Sequence, residues 1–181
     1  MTTDTRFVGE IRYRDPIQFL RRTLPPGVMS TPILRRAVAE DVPELRALTL
    51  AAYAKWHGVT PRPPRPVTAD YALAFREHRF DVLVDGGTFI GLIETVVEGD
   101  QLVIINVAVE PGRQGEGHGV RMMRHAEELA RAAGLSATRL YTNKLMAANI
   151  ALYERLGYVR EKEVEGEGAM VVVHMVRPLD R

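Results

Sequence analysis

The residues of this chain best placed to do chemistry are Gln114-Gly115-Glu116-Gly117-His118-Gly119. They follow Leu102 to Val109, an apolar, β-branched run with the length and composition of a buried strand. Glu110-Pro111-Gly112 stops that strand. Beyond the glycines, Val120, Met123, Ala126, Ala130 and Ala133 recur at three- or four-residue steps, so a helix starts at once, with Gly134 as its C-terminal cap. A helix N-terminus carries unpaired N–H groups and roughly half a positive charge. Glycines at 115, 117 and 119 let a ligand reach that backbone with no Cβ in the way. Strand, glycine-rich turn and helix in this order form an anion cradle, suited to a phosphate or diphosphate.

Composition narrows the setting. A chain of 181 residues suits one domain with a full core. Its 46% hydrophobic and 26% charged content is ordinary for a globular protein. A formal net charge of +1 gives no general attraction for nucleic acid. Cysteine is absent, which excludes disulfides, thiol nucleophiles and thiolate metal sites and fits a reducing cytosol. Met1 to Glu10 has no apolar signal core, and no run approaches the ~20 apolar residues of a membrane helix. The expectation is a cytoplasmic protein without metal, nucleic-acid or membrane partners.

The elements that must position the cradle can be read in order. Residues 1–30 read as an arm: a short strand through Phe7, Ile11 and Tyr13, then a helix opened by Asp15-Pro16 and closed by Pro25-Pro26-Gly27. It packs on its own domain or forms a homodimer contact. Ile33 to Val38 is the first core strand, and Asp41 with Glu44 forms a capping-box pattern. The helix that follows places Leu45, Leu48, Ala52 and Trp56 on one face. Residues 58–67 are too proline-rich for helix and read as an ordered loop, after which Thr68 caps a second helix to about His78. Phe80 to Val84 and Thr88 to Val97 flank a hairpin turn at Asp85-Gly86-Gly87, and a further turn leads into the central strand. After the cradle helix come a strand at 138–142, parallel to the central one, a helix over 146–156 ended by Gly157, and two last strands at 158–164 and 169–177.

Two familiar phosphate motifs are excluded. No Gly-Lys followed by Ser or Thr is present, and Gly115-x-Gly117-x-Gly119 has the wrong last spacing for a dinucleotide fingerprint. Val109-x-Pro111-x-x-Gln114-x-x-Gly117-x-Gly119 instead resembles the acetyl-CoA signature of the GNAT N-acetyltransferases. A second stretch, Asn149-Ile-Ala-Leu-Tyr153-Glu-Arg-Leu-Gly157-Tyr158, resembles the late helix of the same family. The resemblance spans roughly Thr31 to Arg177. It implies an α/β fold with a mixed, mostly antiparallel sheet, splayed between strands 4 and 5 and flanked by helices. Residues 31–181 would then be the acetyltransferase domain behind an arm at 1–30.

The resemblance also implies chemistry. Moving an acyl group from a thioester to an amine needs a neutral amine, donors for the oxyanion and a contact for the leaving sulfur. Val107 and Val109 would pair with pantetheine through their backbone, with the oxyanion donor near Ala108. Gln114, Gly115, Gly117, Gly119 and Val120 would hold the diphosphate of acetyl-CoA. Tyr153 is the candidate general acid. Asn149, four residues before it on the same helix face, is a further cofactor contact, with Asn143 as the alternative. Many relatives carry an asparagine where this chain has Met146. Glu94 is the candidate base and His57 the second choice. His118 and His125 are expected on the helix surface, and Arg121 and Arg124 face solvent or a CoA phosphate. Tyr53, Trp56, Glu94 and the loop 61–66 would line the acceptor, a small-molecule or peptide amine. With no cysteine nucleophile, attack is direct in a ternary complex. The alternative is an acyl-CoA sensor or an inactive interaction module.

Overall fold

The computed structural model describes residues 31–166, 168 and 170–180. The strand and helix expected in residues 1–30 lie outside the described residues. In chain order the elements are β1 (Ile33–Arg36), α1 (Val42–Tyr53), α2 (Arg65–Thr68), α3 (Tyr71–Glu77), β2 (Arg79–Asp85), β3 (Thr88–Glu98) and β4 (Gln101–Val109). They continue with α4 (His118–Ala132), β5 (Ala137–Asn143), α5 (Ala147–Arg155), β6 (Val159–Glu165) and β7 (Val171–Pro178).

Among the described residues the strands form a single sheet of seven in the order β1-β2-β3-β4-β5-β7-β6. Only β4 and β5 run parallel, joined through α4 as a parallel pair requires. Each face has its own core. Ile93, Ile104, Leu140 and Val173 pack against Met122, Met123 and Ala126 of α4. Phe80, Val82, Leu92 and Ala108 pack against Leu45 and Leu48 of α1 on the other face. This two-sided burial explains why β4 reads as one apolar run rather than an alternating one.

The site depends on how β4 and β5 part. They pair only from Gln101 to Ile104 against Ala137 to Leu140. Beyond that point β5 stays with β7 as far as Asn143, while β4 follows β3 to Val109. Opposite β3 the register jumps: Thr95 faces Ile104, but Glu94 faces Asn106. Ile105 is therefore the extra residue of a bulge, which bends its strand and adds twist. The last residues of β4 are left with one open edge.

Several local expectations are corrected. Strand β1 ends at Arg36 rather than Val38, because Asp41 takes the Val38 N–H (2.9 Å) and a two-pronged contact from Arg35 (2.6 and 3.0 Å). Asp41 is thus spent on a 3-10 turn and does not cap α1. Helix α1 stops at Tyr53, and Trp56 sits in a following 3-10 turn. The proline-rich loop contains the four-residue α2, tolerated because its Pro66 falls in the first turn, where N–H groups are spare. Asp70, not Thr68, caps the next helix, its carboxylate accepting from Ala72 N (2.9 Å) and Leu73 N (3.0 Å). Asp70→Ala is expected to cost about 1 kcal/mol of stability, read from urea unfolding.

Candidate active site

The open edge of β4 is the floor of the site. Glu110 N–H donates to Ile90 O on β3 at 3.0 Å. Hydrogen-bonding direction alternates along an antiparallel strand, so Ala108 turns its N–H and C=O to β3 as well. Val107 and Val109 then present theirs to the gap. Gln114 Nε2 donates to Val109 O across it at 3.0 Å. The Ala108 N–H is thus turned to β3, and the N–H groups that face the gap are those of its neighbours Val107 and Val109.

A crevice of about 410 Å³ opens here. Val107, Val109, Gln114, Gly115, Gly117, Gly119 and Val120 line one side. Asn149 and Tyr153 of α5 line the other, and Tyr53 and Trp56 close the α1 end. The prolines of the loop 61–66 are not on this wall. Tyr71 O–H, donating to Pro66 O at 3.1 Å, ties that loop down instead.

The glycine turn has the local form that its sequence suggests. Gly115 and Gly117 have φ of +89° and +85°, where a side chain is strained. Gly117 is the N-cap of α4 and offers no side-chain acceptor. The first α-helical bond runs from Arg121 N–H to Gly117 O, leaving the earlier N–H groups of the turn without a helical acceptor. A Cβ at 115 or 117 would meet nothing within 4 Å, so the space in front of this backbone is open. Arg113 anchors the turn by bridging Asp85 (2.9 Å) and Glu116 (2.8 Å). Lys55 Nζ, on the far side, donates to Gln114 Oε1 at 2.8 Å and brings a cation to the mouth. Open, donor-rich backbone beside a cation fits an anionic diphosphate.

Tyr153 stands between the crevice and the core, its ring 6.1 Å from that of Tyr158. Burial pushes its phenol up to about 12. A phenol that high does not give its proton to a thiolate, whose own value lies near ~8.5. Such a phenol can offer a neighbouring sulfur a hydrogen bond but not its proton. Asn149 Nδ2 makes only a long contact to Met146 Sδ (3.8 Å) and remains available to the crevice. Asn143 is not on the crevice wall, and its Oδ1 accepts from Leu145 N–H at 2.9 Å.

Glu94 is not on the crevice wall. It lies behind it on the α1 face, 3% exposed, and shares a 2.6 Å hydrogen bond with His78 Nδ1. Burial raises its carboxyl above the usual range, partly offset by His78. Its charge is felt by Tyr53, whose phenol is raised first by burial and then by Tyr153, Tyr71 and Glu94. His78 and Lys55 were not legible as site residues in the sequence. Each meets its partner across distant segments, and nothing in local spacing marks them.

The remaining histidines also differ from expectation. His57 is exposed beyond the α1 end. His118 faces the crevice beside Glu116 (3.1 Å), and His125 is largely covered beside Asp81 (3.5 Å), so neither belongs to an open helix surface. Arg121 and Arg124 are exposed. Among the described residues, no three histidine, aspartate or glutamate side chains gather as metal ligands, and no helix is long and apolar enough to cross a membrane.

Comparison with known proteins agrees with the geometry. The profile of the acetyltransferase (GNAT) family matches residues 43–158. An IAA acetyltransferase of Azospirillum brasilense is 38% identical over 88 residues, 48% of this chain and 58% of the relative. The chain therefore spans little more than half the length of that relative. Among solved structures, the ribosomal-protein-S18-alanine N-acetyltransferase of Escherichia coli is similar with a TM-score of 0.67 at 19% identity, over 83% of this chain and 96% of that one. The PaiA N-acetyltransferase of Thermoplasma acidophilum, solved in complex with coenzyme A, is similar with a TM-score of 0.69 at 16% identity, over 82% and 99%. These two likenesses are likenesses of fold.

Proposed function

The chain belongs to the GNAT family of acetyltransferases, and we propose that it transfers an acetyl group from acetyl-CoA to a primary amine by direct attack in a ternary complex. The observation that carries this reading is the meeting of the glycine turn and the open β4 edge in one crevice. Acetyl-CoA, when bound, supplies an acyl carbon activated as a thioester.

The chain's own groups divide the work. Backbone N–H groups from Gly115 to Gly119, with Val120 behind them and Lys55 at the mouth, bind the diphosphate. Val107 and Val109 hold the pantetheine arm as a neighbouring strand would be held, and their N–H groups face the developing charge on the acyl oxygen. Asn149 orients the arm from α5. Tyr153 donates a hydrogen bond where negative charge gathers on sulfur. Glu94, behind the crevice wall, receives through water the proton that the amine must lose, since an ammonium has no lone pair for attack. The acceptor approaches past Tyr53 and Trp56, and the setting is cytoplasmic.

Among the described residues the Tyr153 hydroxyl has no hydrogen-bond partner, so little stability rests on it. Tyr153→Phe is expected to lower kcat roughly ten- to hundredfold, the worth of one hydrogen bond to a charged group, with an unchanged melting temperature. Unchanged turnover would remove Tyr153 from the mechanism. The reading as a whole is tested by acetyl-CoA consumption across polyamines, amino acids, aminoglycosides and peptide N-termini. Turnover with one class supports it. Tight coenzyme A binding with no turnover on any class would favour an acyl-CoA sensor.

A further inference from the structure

Glu94 has a partner that the reaction outlined above leaves unused. A carboxylate that takes a proton once per turnover must also lose it once per turnover. Glu94 is sealed from solvent, with its side chain 4% exposed. Its contact at 2.6 Å is His78 Nδ1, and the His78 side chain is 25% exposed. One histidine therefore touches both the buried carboxylate and water. The other titratable groups facing Glu94 are the phenols of Tyr53 on α1, Tyr71 on α3 and Tyr141 on β5. All three are raised, first by burial, and hold their protons at neutral pH. His78 is the group of this set with a second ring nitrogen, so it can accept a proton from Glu94 on one side and pass one on from the other.

The same face carries a second sign that a hydrogen donor is handled there. Asn106 lies directly across from Glu94 in the β3–β4 register, so the two side chains project side by side. The Asn106 amide is 2% exposed, and its orientation is fixed by its neighbours. Thr49 O–H donates to Leu45 O (3.0 Å) and Tyr71 O–H donates to Pro66 O (3.1 Å). Both hydroxyls can then only accept from Asn106, so Nδ2 turns toward them, at 3.1 Å to Thr49 Oγ1 and 3.5 Å to the Tyr71 oxygen. That leaves Asn106 Oδ1 buried with no donor among the described residues. A buried acceptor without a donor is costly, and it leaves an oxygen beside Glu94 free to take an N–H or O–H.

We propose that His78 is the exit for the acceptor's proton: Glu94 takes the proton inside the fold, and His78 passes it to water. This rests on the reading of Glu94 as the base. The ammonium, held in the crevice, gives one proton to the Glu94 carboxylate behind the wall through a hydrogen-bonded water, with Asn106 Oδ1 orienting that water's O–H. The freed nitrogen lone pair forms the C–N bond as the C–S bond breaks, and the second proton leaving nitrogen neutralises the thiolate. Glu94 returns to its ionised form by giving its proton to His78 Nδ1 in the Nε2–H tautomer, the ring releases the Nε2 proton to solvent, and tautomer exchange through water restores the Nε2–H form.

His78→Ala is tested in the full-length protein, with the best amine from the acetyl-CoA-consumption screen. The expected result is a fall in kcat of roughly tenfold or more, with KM for acetyl-CoA and calorimetric affinity for coenzyme A unchanged. Added imidazole should restore the rate in proportion to its concentration. Pyrazole, of the same shape but hardly basic, should not. In protein without cofactor, the His78 ring-nitrogen resonances should move when Glu94 is replaced in Glu94→Gln. A wild-type kcat in His78→Ala overturns the exit role, as does equal rescue by pyrazole or a His78 signal blind to Glu94→Gln. Loss of coenzyme A binding in the wild type would instead overturn the acetyltransferase reading itself. Should His78→Ala fail to fold, His78→Gln, which keeps a hydrogen bond to Glu94 but carries no proton, gives the same comparison.

Discussion

Glu94→Gln is expected to lower kcat by roughly a hundredfold or more while coenzyme A binds as before. The amide keeps the shape of the side chain and a bond to His78, but it cannot take a proton. Because Glu94 lies behind the crevice wall, its loss leaves the cofactor contacts intact. The acidic limb that Glu94 sets in the pH dependence of kcat should vanish with it. Stability gives an independent check whose sign follows from linkage. Burial raises the Glu94 carboxyl above its ordinary value of 4.5, so the folded chain binds more protons than the unfolded chain between those two values. The stability contributed by the protonated form is complete below the unfolded value and is lost as pH climbs through the folded one. The glutamine variant escapes that loss. Its melting temperature relative to wild type should therefore rise from about pH 4 toward neutrality. A difference that falls over this range, or a kcat near wild type, would remove Glu94 as the base.

Gly119→Val carries the second large effect, on binding rather than turnover. Gly119 is the second residue of α4 and does not have the positive φ of Gly115 and Gly117. A Cβ there meets only Val109 Cγ2, at 3.8 Å, an ordinary contact. The fold should therefore accept valine, whereas Gly117→Val would add a backbone cost of ~1–2 kcal/mol. The new side chain stands in front of the helix N-terminus, where the diphosphate is to meet backbone N–H groups. Losing two or three such bonds to a charged group should weaken coenzyme A about a hundredfold or more, with the melting temperature held. Calorimetry and a thermal melt on the same sample check both halves. Unaltered affinity would mean that the turn is only a connection between β4 and α4.

The parts of this site that sequence alone made legible are those whose signal is local. A strand buried on both faces, a Pro-Gly stop and a helix of period 3.6 identify the run from Gln101 to Ala132 without any partner. Gly134 and Gly157 mark helix ends, and both have positive φ, +68° and +87°. The parallel pairing of β4 with β5 follows from an intervening helix. Where two candidates compete locally, the reading erred. Thr68 and Asp70 are both good caps for α3 by composition, and only the structure shows Asp70 accepting from Ala72 N and Leu73 N; at α1 the arginine at 35 and the Val38 N–H take Asp41 away from the cap. A bulge that splays β4 from β5 was implied by the family resemblance, but its place at Ile105 was not legible, because register belongs to a pair of strands and not to one. The same holds for His78 and Glu94, 16 residues apart, which meet only once the end of α3 is laid over β3. His118 and His125 were misplaced because the apolar stripe of α4 sets the phase of its core face but not what stands beyond its edges.

Coenzyme A is expected in the gap between β4 and β5, along the open β4 edge and against the glycine turn. This placement is tested most directly by a crystal of the full-length protein grown with coenzyme A. The account predicts the diphosphate against the N–H groups of Gly115 to Gly119. It also predicts a pantetheine amide on the Val107–Val109 edge, taking the Val109 O that Gln114 Nε2 now occupies. Coenzyme A bound elsewhere, with Gln114 still on Val109 and the turn empty, would contradict it.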